Sequence, residues 1–299
     1  MVMMSMTCLI NTKIKNDYFC FCLLLLKMNK PVYKLLDWID ESKLDWVALS
    51  ENPNAIELLK ANQDKINWYQ LSLNPNAIEL LKDNQDKIDW QQLSLNPNAI
   101  EILNANQDKI DWRYLSRNPN AIELLKTNPD KIVWCSLSFN KNAIELLEAN
   151  QDKINWNYFS ENVNAIKLLE ANKDKIGWIN LTINPNGIEL LKANPTKIDW
   201  SIFLSTNPNA IELLKANQDK ISWYWLSKNP NAIELLEANQ NKINWCFLSR
   251  NPSIFKLDYK QMEINFELLA EEIVAKALHP KRIDRLMRDY NFDFEDWFD

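Results

Sequence analysis

Apolar and polar positions follow a pattern that returns about every 22 residues along most of the chain. In the period 52–73, the apolar residues of the first half are spaced by one, three and four positions, as on one face of a short amphipathic helix. These residues are Ala55, Ile56, Leu58 and Leu59. The pattern therefore predicts a helix in the first half of every period.

Capping residues predict where each of two short helices begins and ends. Asn52 is a good N-cap, and Pro53 suits the first helical position because its missing N–H costs nothing there. A capping box that starts at Asn54 is an alternative beginning. Asn62 is predicted to end this helix in a left-handed backbone conformation, which Asn tolerates well. A second helix or 3₁₀ turn is predicted from Trp68, since a good N-cap precedes nearly every recurring Trp.

Nine periods of this kind predict an all-α fold. They cover residues 52–73, 74–95, 96–117, 118–139, 140–161, 162–183, 184–206, 207–228 and 229–250. A leucine-rich-repeat horseshoe has a similar period, but its strand needs a buried row where residues as different as Leu73, Arg117 and Glu161 occur. We therefore predict an α-solenoid of nine helix-turn-helix repeats, extending roughly 80–90 Å if neighbouring helices pack about 8–10 Å apart.

The pattern decays at both ends of the repeat array. Residues 28–51 are predicted to form a degenerate N-terminal cap, because they keep the Lys-Leu-Asp-Trp ending of a repeat. Residues 251–299 are predicted to form a C-terminal cap. This cap would contain a long amphipathic helix to about Leu278, a break at His279-Pro280, a second helix and an acidic aromatic tail.

Residues 1–27 differ from everything that follows. Their apolar run "YFCFCLLLL" is shorter than the span of about 20 residues that a membrane helix needs, and no small-residue cleavage site follows it. We expect a disordered or docked extension, or an over-long start assignment, with folding from Met28. A secretory or anchoring segment is the alternative.

The composition favours a soluble folded protein without a catalytic centre. The chain is 46% apolar and 25% charged, with 13 Trp and a net charge of −6. Its Lys residues alternate with Asp and Glu rather than forming a basic stripe, which argues against nucleic-acid binding. Five Cys occupy no recurring position, so free thiols in a reducing compartment are expected. They are Cys8, Cys20, Cys22, Cys135 and Cys246.

Residue types needed for chemistry are scarce. The one His, His279, and the two Gly, Gly177 and Gly187, cannot supply a catalytic triad, a zinc site or a phosphate-binding loop. We therefore expect no enzymatic activity, no metal and no cofactor.

The joint recurrence of N-P-N-A-I, N-x-x-K-I and W-x-x-L-S resembles a group of uncharacterised repeat proteins encoded in many copies by giant DNA viruses of protists. The closing segments "NPSIFKLDY" and "EEIVAKALHPKRIDRL" share this resemblance, which covers about residues 30–299. It implies a helical-repeat fold and a viral source, and with it a place in the host cytoplasm, the viral factory or the virion. It brings no established activity, catalytic residue or ligand.

Three kinds of recurring residue are interpreted as structural. Ten Trp, from Trp46 to Trp245, would form one buried stacked spine, with an aromatic ligand groove as the alternative. The recurring Asn residues would cap helices. The Lys row from Lys43 to Lys242 would be a solvated face rather than an anion track, because Asp precedes most of its members.

The two positions after each Trp vary most and form the predicted partner-binding strip, with inter-repeat packing as the alternative role. Tyr, Trp and Arg are enriched at binding hot spots. The candidate residues are Tyr69, Arg113, Tyr114, Tyr158, Tyr224, Trp225 and Phe247. The predicted function is a non-enzymatic scaffold that binds a host or viral protein, without nucleic acid, and without a membrane unless residues 1–27 act as an anchor. An architectural component of the virion is the alternative.

Overall fold

The computed structural model describes residues 31–200 and 203–277, together with Arg288. The segments predicted for residues 1–27 and beyond Leu278 lie outside the described residues. The chain divides into two compact parts. The first, residues 35–255, is the repeat body, and the second contains residues 31–34 and 256–277.

The repeat body alternates helices that begin at Trp with helices that begin at Ile, and the period 184–206 has only the Ile helix among its described residues. The Trp helices are Trp46–Glu51, Trp68–Leu73, Trp90–Leu95, Trp112–Arg117, Trp134–Leu137, Trp156–Glu161, Trp178–Leu181, Trp223–Leu226 and Trp245–Ser249. The Ile helices are Ile56–Ala61, Ile78–Lys82, Ile100–Ala105, Ile122–Lys126, Ile144–Glu148, Ile166–Ala171, Ile188–Ala193, Ile211–Lys215 and Ile233–Glu237. The predicted short helix pairs are confirmed, and neighbouring Trp helices pack against each other along the chain.

Short 3₁₀ turns connect the helices. Before an Ile helix they include Pro53–Ala55, Pro185–Gly187, Pro208–Ala210 and Pro230–Ala232, and Pro252–Ile254 stands at the same place in the last period. After an Ile helix they are Gln63–Lys65, Gln85–Lys87, Gln107–Lys109, Pro129–Lys131, Gln151–Lys153, Lys173–Lys175, Pro195–Lys197, Gln218–Lys220 and Gln240–Lys242. The period with the extra residue has the 3₁₀ turn Leu204–Thr206 where other repeats continue their Trp helix.

Three apolar rows form the core of the repeat body. Leu71 of the Trp helix, Leu59 of the Ile helix and Ala55 of the turn before it are fully buried, and their counterparts in the other repeats are buried in the same way. Small Ala at the turn lets two backbone segments approach, while Leu fills the space between the two helices. The core is therefore one continuous layer that each repeat extends by the same three residues.

A row of buried Asn residues connects every repeat to the one before it. The Asn74 side chain donates from Nδ2 to the carbonyls of Ser50 (3.0 Å) and Asn52 (2.8 Å) in the preceding repeat. Its Oδ1 accepts from the backbone N–H of Asn76 at 3.0 Å, which is the predicted capping bond. Both amide hydrogens and the amide oxygen are thus satisfied inside the protein, as a buried polar group requires. We call the residues of this row the Asn ladder. They are Asn52, Asn74, Asn96, Asn118, Asn140, Asn162, Asn184, Asn207, Asn229 and Asn251.

A buried Ser makes a second connection between neighbours. Ser50 Oγ donates to the carbonyl of Trp46 (2.8 Å) and accepts from the backbone N–H of Asn67 in the next repeat (3.0 Å). A single hydroxyl therefore bonds to the first residue of its own Trp helix and to the N-cap residue of the next Trp helix. The N-caps before Trp are also found as predicted, for example the Asn67 side chain accepting from Gln70 N–H at 3.0 Å.

Two details of the predicted caps are wrong. Asn62 follows the Ile helix with φ −133° and ψ 55°, outside the left-handed region, because its Nδ2 donates back to the carbonyl of Leu58 at 3.0 Å. The alternative helix start at Asn54 is not used either. Its side chain instead donates to the carbonyl of Pro252 at 2.9 Å, and the helix begins at Ile56 without a side-chain cap.

The last repeat contacts the first through the same bonds that connect any two neighbours. Asn52 donates from Nδ2 to the carbonyls of Ser249 (2.9 Å) and Asn251 (3.0 Å). The backbone N–H of Asp45 donates to Ser249 Oγ at 2.9 Å. The helices Trp46–Glu51 and Trp245–Ser249 are also in contact. The repeat body is therefore a closed ring of ten Trp-containing repeats.

Both ends of the repeat body build the tenth repeat. Residues 243–254 supply its Trp helix and its Pro252–Ile254 turn, after which the chain leaves the pattern. The 3₁₀ turn Glu41–Lys43 supplies the turn that precedes the next Trp, with Asp40 as its N-cap. Between them, the backbone N–H of Leu36 donates to the carbonyl of Ile254 at 2.8 Å. The tenth repeat is thus composite, and it joins the two ends of the repeat body.

Closure corrects the expectation of an open stack 80–90 Å long. An open stack would leave the amide of Asn52 facing water at the end of the array, whereas the closed ring buries it with both of its carbonyl partners. Residues 41–51 make the contacts of a neighbouring repeat, where we expected part of a terminal cap. Ring closure was not visible in the sequence, because a composite repeat looks like two decayed ends.

The second compact part contains the helix Tyr259–Ala277, over the segment for which the sequence predicts a long helix. In this part, Asp258 donates from its backbone N–H to the carbonyl of Val32 at 2.8 Å, and its carboxylate lies 3.5 Å from Lys34 Nζ. A two-stranded sheet pairs strand β1, Tyr33–Leu35, with strand β2, Phe255–Leu257. No helix of the described residues is both long and apolar enough to cross a bilayer.

Closure predicts equal costs at the seam and within the array. Asn52→Ala and Asn118→Ala should each lower the free energy of unfolding by about 2–4 kcal/mol, because each removes a buried amide that donates to two carbonyls of the neighbouring repeat and caps its own turn. Urea unfolding of the two variants measures this, with the exposed Asn157→Ala as a control expected to change it by less than about 0.5 kcal/mol. A loss at Asn52 of only about 1 kcal/mol, the value of a helix cap alone, would contradict closure.

Candidate functional site

The predicted partner-binding residues lie on the Trp helices with different degrees of exposure. Tyr69 is 46% exposed, Tyr158 39% and Tyr224 49%, and Arg113 is also exposed. Tyr114, Trp225 and Phe247 are half-buried. All seven side chains therefore reach the surface at least in part.

Helix geometry gathers the varying positions on one side of each Trp helix. In Trp68–Leu73, Leu71 and Ser72 are buried, while Tyr69 and Leu73 are four residues apart and so share a face. The face includes three positions of each repeat, namely the first and second residues after Trp and the residue after Ser. The third position was not predicted as part of the site, although its variation from Leu to Arg to Glu could have indicated it.

Side chains at these positions contact each other from one repeat to the next. Gln92 Nε2 donates to the Tyr69 hydroxyl at 2.7 Å. Asn180 Nδ2 likewise donates to Glu161 Oε1 at 2.5 Å. The contacting residues belong to successive repeats, so the varying positions form one row. We call the exposed surface made by the three positions of all described repeats the variable face.

Aromatic side chains concentrate in one sector of the variable face. The ring centroids of Tyr224 and Phe247 are 4.4 Å apart, and those of Trp225 and Phe247 are 4.9 Å apart. Phe203 extends the group, with its centroid 6.4 Å from that of Trp225. These distances are typical of aromatic contacts, so this sector, defined by Phe203, Tyr224, Trp225 and Phe247, is the aromatic sector.

A second group combines aromatic stacking with charge. The Arg117 guanidinium lies 4.1 Å from the centroid of the Phe139 ring, which stacks on Tyr158 at 4.4 Å. Burial raises the pKa of the Glu161 carboxyl, while the hydrogen bond from Asn180 and the charge of Arg117 act in the opposite direction. The structure thus shows packing between repeats at this part of the row, and its residues remain partly exposed; binding of a partner stays a prediction.

The variable face carries a positive charge on an acidic protein. Its charged residues in the described repeats are Arg113, Arg117, Lys228, Arg250, Glu51 and Glu161. Four cations and two carboxylates give a net charge of +2, whereas the whole chain carries −6. One pair is internal, with Arg250 Nε 3.0 Å from a Glu51 carboxylate oxygen.

The Trp residues do not form the predicted buried spine. All ten are half-buried, and in nine of them a Lys of the following repeat places its ammonium over the ring. Lys65 Nζ lies 4.3 Å from the centroid of the Trp46 ring, and Lys153 Nζ lies 4.3 Å from that of Trp134. The Lys row is exposed as expected, yet its cations also stabilise the Trp rings through cation–π contacts. These pairs explain why both residue types recur together.

Metal-ligating side chains and thiols are scattered in the described residues. Within residues 31–200 and 203–277, no group of three or more His, Cys, Asp or Glu side chains is placed to hold a metal ion. Cys135 is exposed and Cys246 half-buried, and both are free thiols.

No protein-family model, curated protein or solved structure matches this chain. Its function has to be argued from the ring, the variable face and the chemistry of the exposed side chains.

The cation–π contact predicts a measurable coupling between repeats. In a double-mutant cycle, Lys153→Gln and Trp134→Leu should show a coupling free energy of roughly 0.5–1 kcal/mol in urea unfolding. The same cycle with Lys141→Gln, an exposed Lys that lies over no ring, should show none. A zero coupling for Lys153 would mean that the ammonium does not interact with Trp134.

Burial of Glu161 predicts a pH-dependent gain on its replacement. Because the folded-state pKa is raised, the folded protein binds the proton more tightly, and stability falls as the pH rises from the unfolded pKa through the folded one. Glu161→Gln keeps an acceptor for Asn180, so it should stabilise the protein above this window and not below it. Urea unfolding from pH 3.5 to 8 tests this, and a gain that is constant with pH would contradict it.

Proposed function

We propose that the protein is a non-enzymatic binding module that holds a protein partner on the variable face of the repeat body. The proposal rests on the contrast between the structural positions of the repeat and the positions that differ from repeat to repeat. Positions of the core and of the Asn ladder keep nearly the same residue, while the positions that differ most lie together on one side of the Trp helices, where most are exposed or half-buried and Ala48, Gln92 and Ser136 are buried. Folding alone requires no such gathering of the differing residues.

The exposed residues support a binding role by their type. Tyr224 is 49% exposed and contacts Trp225 and Phe247. A surface group of three large aromatic rings is poorly solvated, a disadvantage that smaller residues would avoid, so its presence indicates a contact surface. Large aromatic side chains next to cations are the residues that contribute most to protein–protein affinity. The frame beneath them is a closed ring, which keeps the side chains in place and lowers the entropy lost on binding.

The resemblance to giant-virus repeat proteins would make the partner a host or viral protein. The ten-repeat ring would then act as a scaffold that presents one surface. An architectural use in a virion would need other surfaces of the frame instead, such as the exposed side of the Ile helices, where Glu and Lys pairs such as Glu123 and Lys126 lie 2.9 Å apart. The exposed aromatic groups favour the variable face over that surface.

Site-specific photo-crosslinking tests the proposal. A photoreactive phenylalanine analogue placed at Tyr69 or Tyr224 of the full-length protein should form a defined protein adduct in the cells that make the protein. The same analogue at the exposed Glu145, on an Ile helix away from the face, is the matched control and should form none. Equal adducts at all three positions, or adducts at Glu145 alone, would contradict a partner on the variable face.

Substitution then separates a contact from mere proximity. With the purified partner, Tyr224→Ser together with Trp225→Ser should weaken binding by about ten-fold or more, since hot-spot aromatics each account for about 1–2 kcal/mol or more. Tyr259→Ser, which changes a 72% exposed Tyr outside the repeat body, should not change it. Circular dichroism of both variants checks that they remain folded, and equal affinities would refute the role of the aromatic sector.

A further inference from the structure

The charge of the variable face points to the chemistry of its partner. A face of net charge +2 on a protein of net charge −6 attracts a negatively charged segment, while the rest of the surface disfavours it. Two of its cations are available for this role. Arg113 and Lys228 are exposed, and neither has an ion-pair partner among the described residues.

The aromatic sector adds an apolar requirement. Tyr224, Trp225 and Phe247 contact one another at 4.4–5.3 Å and remain partly exposed. Lys228 follows Tyr224 by four residues, just after the end of the helix Trp223–Leu226. Aromatic rings stack on aromatic rings more favourably than on aliphatic chains of similar area. A partner that satisfies the sector and the cations together would therefore carry aromatic side chains and carboxylates close to each other.

The row runs from repeat to repeat, which suits an extended segment. Neighbouring repeats contact each other at the varying positions, as in the pairs Tyr69–Gln92 and Glu161–Asn180. A linear peptide lying along this row contacts several repeats in succession, whereas a compact domain would touch few of them.

Nucleic acid fits this surface less well. A single strand also combines negative charge with stacking rings, but its affinity depends on neutralising several consecutive phosphates. Only four cations lie on the face, Arg250 is already paired with Glu51, and Arg117 lies over Phe139. A peptide with carboxylates spaced among aromatic residues needs fewer cations for binding than a strand with consecutive phosphates.

We propose that the variable face binds an acidic linear segment that carries aromatic side chains, an inference that rests on the proposed function. The chain itself contains a segment of this composition. Residues 289–299, Asp-Tyr-Asn-Phe-Asp-Phe-Glu-Asp-Trp-Phe-Asp, comprise five acids, five aromatics and one Asn. This segment lies outside the described residues, and a synthetic peptide of its sequence serves as the probe.

Peptide binding tests the proposal with a fluorescently labelled copy of residues 289–299. The receptor is the full-length protein with its own acids in this segment changed to amides, so that they do not compete with the probe. These changes are Asp289→Asn, Asp293→Asn, Glu295→Gln, Asp296→Asn and Asp299→Asn. Fluorescence anisotropy at low salt should show binding at least ten-fold tighter for this peptide than for a fully amidated copy or a copy with Ser at all five aromatic positions. Equal affinities for the three peptides would overturn the proposal.

Matched receptor variants locate the bound peptide. Arg113→Gln with Lys228→Gln should weaken binding by about five-fold or more, and Lys141→Gln with Lys167→Gln, which removes two exposed charges elsewhere, by less than about two-fold. Equal losses in the two receptors would place the peptide away from the variable face and overturn the proposal.

Further outcomes distinguish the acidic-segment proposal from the proposed function on which it rests. A single-stranded oligonucleotide of eleven residues that binds the face more tightly than the peptide would overturn the acidic segment in favour of nucleic acid. Crosslinking at Tyr69 or Tyr224 to a protein region without acidic residues would also overturn it, while leaving the variable face as a binding surface. Absence of crosslinking at both positions would instead count against the proposed function itself.

Discussion

The buried amide of the Asn ladder is the interaction on which the rest of the structure depends. Its two N–H groups need two carbonyls of the preceding repeat, and its oxygen serves its own turn. Asp would lose both donors, and Gln would place them at another distance, so only Asn satisfies three partners from one position. Each repeat therefore requires a neighbour on one side and provides one on the other. A finite open stack always leaves one such requirement unmet, and a closed ring meets all ten.

Because the ring is closed, the repeat array has no first or last repeat that needs a terminal cap. Repeat arrays usually need terminal repeats with polar outer surfaces. Here the first and last segments instead share one composite repeat, joined by bonds across about 200 residues of sequence, such as Asn52 to Ser249. Contacts this distant in sequence form late, because loop closure costs entropy before it is compensated. Contacts in the ring thus connect residues that are near in sequence, except at the seam between the last repeat and the first.

The sequence predicted the elements well and their assembly less well. The 22-residue period, the Ile and Trp helices and the N-caps follow from local patterns of Asn, Pro and apolar spacing, and the structure contains them. Closure depends on the sum of ten small rotations, which no local pattern records. The Trp spine was misjudged because an aromatic row is usually core, whereas here nine of the ten rings are covered on one side by the Lys of the next repeat. For the candidate site, the post-Trp positions were found by their variation, but the residue after Ser was considered only as evidence against a strand.

The residues of the variable face are not fixed by the hydrogen bonds of the Asn ladder. A residue such as Tyr158 stacks on Phe139 of the previous repeat and still exposes 39% of its surface, so it can contact a partner without being released from its neighbour. Any partner lying along the row must therefore contact side chains that also connect repeats. Binding and the cohesion of the ring then share the same residues, and a partner that spans several repeats stabilises the ring by its binding free energy. The exposed first position after Trp, which Tyr69 and Arg113 occupy, leaves more freedom for specificity, because it is bound least tightly by packing.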